Sequence, residues 1–188
     1  MKREADLIEA ARQGDERAFE QLLRPYRRGL LTMACRLTGN PEDGQEVAQE
    51  AIVKIYRYLG SFQAGRSFKS WTYKIVVNAA HDFMKRQGRN RQAVHLQINP
   101  GEGEDLDPAR HYLNGEIRET IRSCLRQLSP RERTVFCLRD GEGLSIKEAA
   151  SVLGCSAVSV RTHLCRARQK LKSQLEAMYR LSRSEVKK

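Results

Sequence analysis

Long apolar runs are missing from this chain. No stretch approaches the roughly 18 consecutive apolar residues of a membrane-spanning helix, so no direct insertion into a membrane is expected. The first residues, MKREADLIEAARQGDERAF, are charged throughout and lack the apolar centre of an export signal, which predicts a cytoplasmic protein. The five cysteines (Cys35, Cys124, Cys137, Cys155 and Cys165) form no CxxC pair and no zinc-type spacing with histidine. That argues against a structural metal and for reduced thiols. HExxH, GxxxxGK[ST], a deaminase zinc pattern and a paired-acid metal cluster are also lacking. His81, His95, His111 and His163 are scattered. The sequence therefore offers no catalytic residue, no metal site and no cofactor site, and the expectation is a protein that is not an enzyme. Strand-type alternation does not persist anywhere, which predicts an all-α fold.

What is present is positive charge. The 188 residues carry a formal charge of +11 and a pI near 9.7, which suits a polyanionic partner such as nucleic acid or an anionic membrane surface. The charge is uneven. Residues 1–90 hold 16 Lys/Arg against 11 Asp/Glu, residues 91–115 hold 2 against 4, and residues 116–188 hold 16 against 8. The middle stretch, RQAVHLQINPGEGEDLDPARHYLNG, has prolines, glycines and an acidic run but no sustained helical period. These shifts predict two small helical domains, 1–91 and 115–180, joined by a flexible acidic linker over 92–114.

The clearest local pattern is GLSIKEAASVLGCSAVSVRTHLCRARQKL, residues 143–171. Ser145 and Glu148 form a capping-box pattern, Gly154 is a helix stop, and Ser156 is an N-cap for a second helix. There Val160, Leu164, Ala167, Leu171 and Leu175 define one apolar stripe. Arg161, Cys165, Arg168 and Lys172 share another, with Thr162 and Arg166 beside it. A helix, a glycine turn and a helix with a basic face outline a helix-turn-helix, whose second helix enters a major groove. A solvated basic face on a bundle helix is the plainer alternative. Upstream, Gly14 and Gly39 break the helical pattern, Asp15 can cap a new start, and an Asn-Pro turn opens a helix that ends at Gly60. Further helices are predicted over 70–87, near 115–127 and over 130–140.

In that order the segments DGQEVAQEAIVKIY (43–56), FKSWTYKIVVNAAHD (68–82), LSPRERTVF with EGLSIKEAA, and VRTHLCRARQKL resemble the motifs of extracytoplasmic-function sigma factors of bacterial RNA polymerase. The resemblance covers nearly the whole chain and implies only the second and fourth regions of the sigma-70 family. It implies that Asp43, Glu46, Gln49 and Glu50 dock on the clamp of the large polymerase subunit, with a further contact to the flap of the other large subunit. Gly44 and Ala51 stand where the family has larger residues. The −10 element would be met by Ser61, Phe68, Lys69, Trp71, Asn78, Lys85, Arg86 and Arg89. The loop 61–68 would form a base pocket with Asn78 near it, and Phe68 and Trp71 would stack on bases or anchor the core. Lys74 and Ile75 replace the aromatic wedge of primary sigma factors, implying weaker melting and stricter promoter choice. The −35 element would be read by Ser159, Arg161, Thr162, Cys165 and Arg166, with Arg168, Lys170 and Lys172 placed for phosphates. The linker acids Glu102, Glu104, Asp105 and Asp107 would follow the nascent-RNA path. The resemblance further implies a stress-response role and control by an anti-sigma factor, often membrane-anchored.

Three other readings compete. A response regulator would need an α/β domain in front, and residues 1–90 offer no strand run for one. A nucleic-acid enzyme would need one of the absent catalytic motifs. A basic membrane-surface protein would not need four motifs in this order.

Overall fold

The computed structural model describes residues 3–91 and 119–185, and among these every regular element is helical. The predicted linker 92–114, with its four acids, His95 and His111, lies outside the described residues, as does the predicted domain start at 115. The chain divides into two compact units.

The first unit contains α1 (Glu4–Arg12), α2 (Glu16–Thr38), α3 (Pro41–Tyr58), a 3₁₀ turn (Leu59–Ser61) and α4 (Phe68–Arg91). Asp15 starts α2 by accepting the Ala18 N–H at 3.0 Å. Gly39 ends it with φ at 78°, a left-handed conformation that glycine takes without a side-chain clash. Asn40 then caps α3, accepting the Glu42 N–H at 2.9 Å, with Pro41 as the first helical residue. Helix α2 packs on α1, α3 and α4, and α3 packs on α4. The apolar faces meet in a core that includes Leu22, Leu30, Met33, Val47, Ile55, Phe68, Tyr73 and Val76. Each fully buried side chain of this size contributes about 1.5–3 kcal/mol.

Gly44 explains how closely α2 and α3 approach. It is buried, and a Cβ there would lie 2.5 Å from Cys35 Sγ and 2.6 Å from Cys35 Cα. The small residue at this position of the motif is a packing requirement, because the neighbouring atoms include α2 backbone.

Later in the chain, with most of their residues in the second unit, come α5 (residues 119–126), α6 (Pro130–Phe136), a wide π-type turn (Cys137–Gly141), α7 (Ile146–Leu153) and α8 (Ala157–Glu185). Ser129 and Glu132 form a capping box at the start of α6. Arg133 donates to the carbonyls of Leu125 at 2.9 Å, Arg126 at 3.1 Å and Leu128 at 3.4 Å, satisfying the open end of α5. The core includes Leu125, Val135, Leu138, Leu144, Ala149, Val160, Leu164 and Ala167.

The helix predicted over 130–140 is present, as α-helix to Phe136 and as a π-helical turn over Cys137–Gly141, where the Glu142 N–H reaches Cys137 O at 2.9 Å. One expectation is overturned. The apolar stripe predicted from Val160 to Leu175 is buried only as far as Ala167. Leu171 is half-buried and Leu175 is 54% exposed.

Candidate nucleic-acid and partner interfaces

Three surfaces carry the residues singled out from the sequence. The first is the polar face of α3. Glu46 and Gln49 are exposed, and Asp43 is half-buried in the first turn. Glu50 is more enclosed than an outward-facing carboxylate. Lys54 Nζ lies 2.6 Å from its Oε1, and Arg86 Nη2, from α4, lies 2.9 Å from its Oε2. The Lys54 ammonium first, and Arg86 after it, hold the Glu50 carboxyl below its ordinary value against the opposing effect of partial burial. An arginine placed by sequence on the DNA side is thus tied to a carboxylate placed on the polymerase side.

The second surface is a cavity of about 340 Å³ lined by Tyr58, Ser61, Phe62, Gln63, Arg66, Trp71, Lys74, Ile75 and Asn78. Its size falls within the range of small-ligand pockets. The loop after α3 and one face of α4 supply the walls. Trp71 offers an aromatic face, and Ser61, Gln63, Arg66, Lys74 and Asn78 supply polar atoms. Ser61 Oγ itself donates to Tyr58 O at 2.7 Å. Phe68 does not line the cavity. It is 1% exposed and packs edge-on to Phe62 at 5.4 Å and tilted to Trp71 at 5.6 Å. Of its two sequence-level roles the ring has the core one, behind the pocket wall. Lys69 is half-buried and is not among the lining residues. Lys85 and Arg86 are exposed further along α4, and the Arg86 guanidinium lies 6.0 Å from the Phe83 ring centre. The side chain of Arg89 lies outside the described residues.

The third surface is the start of α8. Ser145 and Glu148 form the expected capping box at α7, and Gly154 closes that helix with φ at 61°. The Ser159 N–H then bonds to Ser156 Oγ at 3.1 Å, opening α8. Arg161, Thr162, Cys165 and Arg166 are exposed, Ser159 is half-exposed, and Val160, Leu164 and Ala167 are buried beneath them. Two cations expected to meet phosphate are engaged within the protein. Arg168 makes a two-pronged contact with Asp140 of the π-type turn, at 2.8 and 2.6 Å, which raises its pKa. Lys170 Nζ bonds Glu132 Oε2 at 2.7 Å. Lys172 stays well exposed, 3.9 Å from Glu176.

Tyr58 as a pocket residue, and Asp140 and Glu132 as anchors of α8, carry no local pattern in the sequence. The anchoring roles of Asp140 and Glu132 arise from contacts across 28 and 38 residues. No group of His, Cys, Asp and Glu among the described residues could hold a metal ion. No described helix is long and apolar enough to cross a membrane.

These surfaces coincide with two family matches. Residues 22–90 match the Sigma-70 region 2 model and residues 118–171 match the Sigma-70 region 4 model. The RNA polymerase sigma-H factor of Pseudomonas aeruginosa is 32% identical over 95% of this chain and 97% of its own length. The ECF RNA polymerase sigma-E factor of Escherichia coli K12 is 29% identical over 93% of this chain and 95% of its own length. Among solved structures, CnrH in complex with the cytosolic domain of CnrY is similar with a TM-score of 0.66, 30% identity, and coverage of 91% of this chain and 96% of that one. The sigma factor RpoE in complex with the anti-sigma factor NepR from Bartonella quintana shares the fold, with a TM-score of 0.69, 24% identity, and coverage of 84% and 96%. With regions 2 and 4 in order and a relative matched almost end to end, this chain belongs to the extracytoplasmic-function sigma factors of the sigma-70 family.

Proposed function

We propose that the chain is a cytoplasmic promoter-specificity subunit that binds core RNA polymerase and directs transcription initiation without catalysing a reaction itself. The face of α3 bearing Asp43, Glu46, Gln49 and Glu50 meets the polymerase clamp, and the second unit also meets the flap. The cavity beside Trp71 and Asn78 takes a base extruded from the opened −10 strand, which is read by stacking and edge hydrogen bonds. The start of α8 reads the −35 duplex, where arginine makes paired bonds to guanine. An anti-sigma factor, the kind of partner bound to RpoE in the Bartonella quintana complex, holds the protein inactive.

The observation that carries this reading is the pairing of two different kinds of surface in one chain of this family. One is a cavity with an aromatic wall and polar rim; the other is a helix start with four exposed polar or basic side chains. The first suits an unpaired base and the second a major groove. Co-purification tests the partner. Gln49→Ala with Glu50→Ala should abolish association with core polymerase and leave helicity unchanged. Undiminished capture of polymerase by the double variant would overturn the assignment of α3.

A further inference from the structure

We infer that Arg12, at the end of α1, is a positioning residue for base selection at the −10 element. It fixes the backbone of the loop that forms one wall of the cavity. The inference rests on the reading of that cavity as a base pocket.

Arg12 lies outside the stretch that matches region 2, which begins at residue 22. Its Nε donates to Leu59 O at 3.2 Å, and its Nη2 donates to Phe62 O. The two carbonyls are 47 and 50 residues away in sequence and bracket Ser61. Leu59 and Phe62 bury their side chains, at 2% and 4% exposure, while Tyr58, Ser61 and Gln63 between and around them line the cavity. A guanidinium is a planar fork with donors in fixed directions. One residue therefore sets the separation and tilt of two peptide groups, and with them the positions of the polar side chains that face a base. The turn's own bond, from Phe62 N–H to Leu59 O at 3.1 Å, closes the same short segment. Beyond it, residues 63–67 make no regular element.

Helix α1 is itself firmly placed, so the fork has a fixed origin. Ile8 and Ala11 are buried. Glu4, at the opposite end of α1, accepts the Tyr26 hydroxyl at 2.5 Å. The Tyr26 ring meets Phe68 edge-on at 5.6 Å, and Phe68 in turn supports Phe62 and Trp71. Helix α1 thus braces the pocket twice, at its carbonyls through Arg12 and behind its aromatic wall through Glu4 and Tyr26. A purely structural arginine would affect every promoter equally. A positioning arginine changes the choice among bases at one position.

The test uses holoenzyme reconstituted from the full chain and core polymerase, transcribing a promoter library varied at each −10 position and, separately, at each −35 position. Arg12→Ala is expected to lower discrimination at one −10 position at least about fivefold, because misplacing a positioned group by 1 Å costs up to roughly a hundredfold. Discrimination at −35 should be unchanged. Arg12→Lys keeps the charge but cannot hold both carbonyls as a fork; it should shift the same position, and it serves if Arg12→Ala does not fold. Asn78→Ala, within the cavity wall, separates the two ideas. If Asn78→Ala alters −10 choice and neither Arg12 variant does, the role of Arg12 is overturned while the pocket stands. If none of the three alters −10 choice, the base-pocket reading itself falls. A uniform loss of transcription on all promoters by a folded Arg12 variant also overturns the positioning role.

Discussion

A carboxylate at 4% exposure, as in Glu132, needs its charge answered by neighbouring donors. Lys170 supplies the strongest answer and the Ser129 N–H, at 3.0 Å, another; together they hold the Glu132 pKa near 2, well below the ordinary 4.5. A depressed pKa gives stability that is fully present above about pH 4.5 and is lost as pH falls towards 2. Urea midpoints read from NMR signals of α6 in the full chain should fall across that window, and Glu132→Gln should flatten the fall. The same contact places Lys170 in the scaffold of α8, as Asp140 does for Arg168. Under the proposed function, base reading belongs to Arg161 and Arg166. Alanine at either should cost holoenzyme about 1–3 kcal/mol on its preferred −35 sequence and relax that choice. Lys172→Ala should weaken all sequences alike and lower the salt-dependence slope by about 0.9. Binding to matched and scrambled −35 promoters over a salt series separates the two behaviours.

At the scale of elements, Gly44 ties the geometry of α3, the helix proposed to meet polymerase, to the core. Adding one methyl would push on the backbone of α2, and overpacking of this kind costs about 1–3 kcal/mol. Gly44→Ala should therefore lower the Tm in thermal unfolding; an unchanged Tm would show that α3 shifts freely away from α2. Element boundaries set by caps were legible in the sequence. Asp15, Gly39, Asn40, Ser145, Gly154 and Ser156 act within a few residues, and each stands where its pattern placed it. Features set by a partner far along the chain were not legible. The π-type turn after Phe136 has no periodicity of its own to mark it. The stripe of α8 continues past the helix that covers it: α6, with 7 residues, spans roughly 10 Å, and α8, with 29, spans roughly 44 Å. The exposed Leu175 follows from that difference in length. The pocket was legible as a loop and an asparagine. Its brace from Arg12 was not, because nothing in a single arginine announces contacts 47 and 50 residues away.

For the whole molecule, charge and motif order carry the functional account. A net +11 suits a polyanion but cannot distinguish a repressor from a polymerase subunit. That distinction comes from a polar helix face in the region 2 match and a helix-turn-helix in the region 4 match, present in one chain. A repressor needs only the second and binds duplex without polymerase. A specificity subunit needs both and acts through polymerase. Run-off transcription on a randomised promoter library, with purified core polymerase in the presence and absence of this protein, tests this most directly. The protein is expected to confer transcription from templates enriched for two recurring blocks, one near −10 and one near −35, which core polymerase alone does not select. Transcription that is unchanged by the protein, or templates with no recurring block, would contradict it.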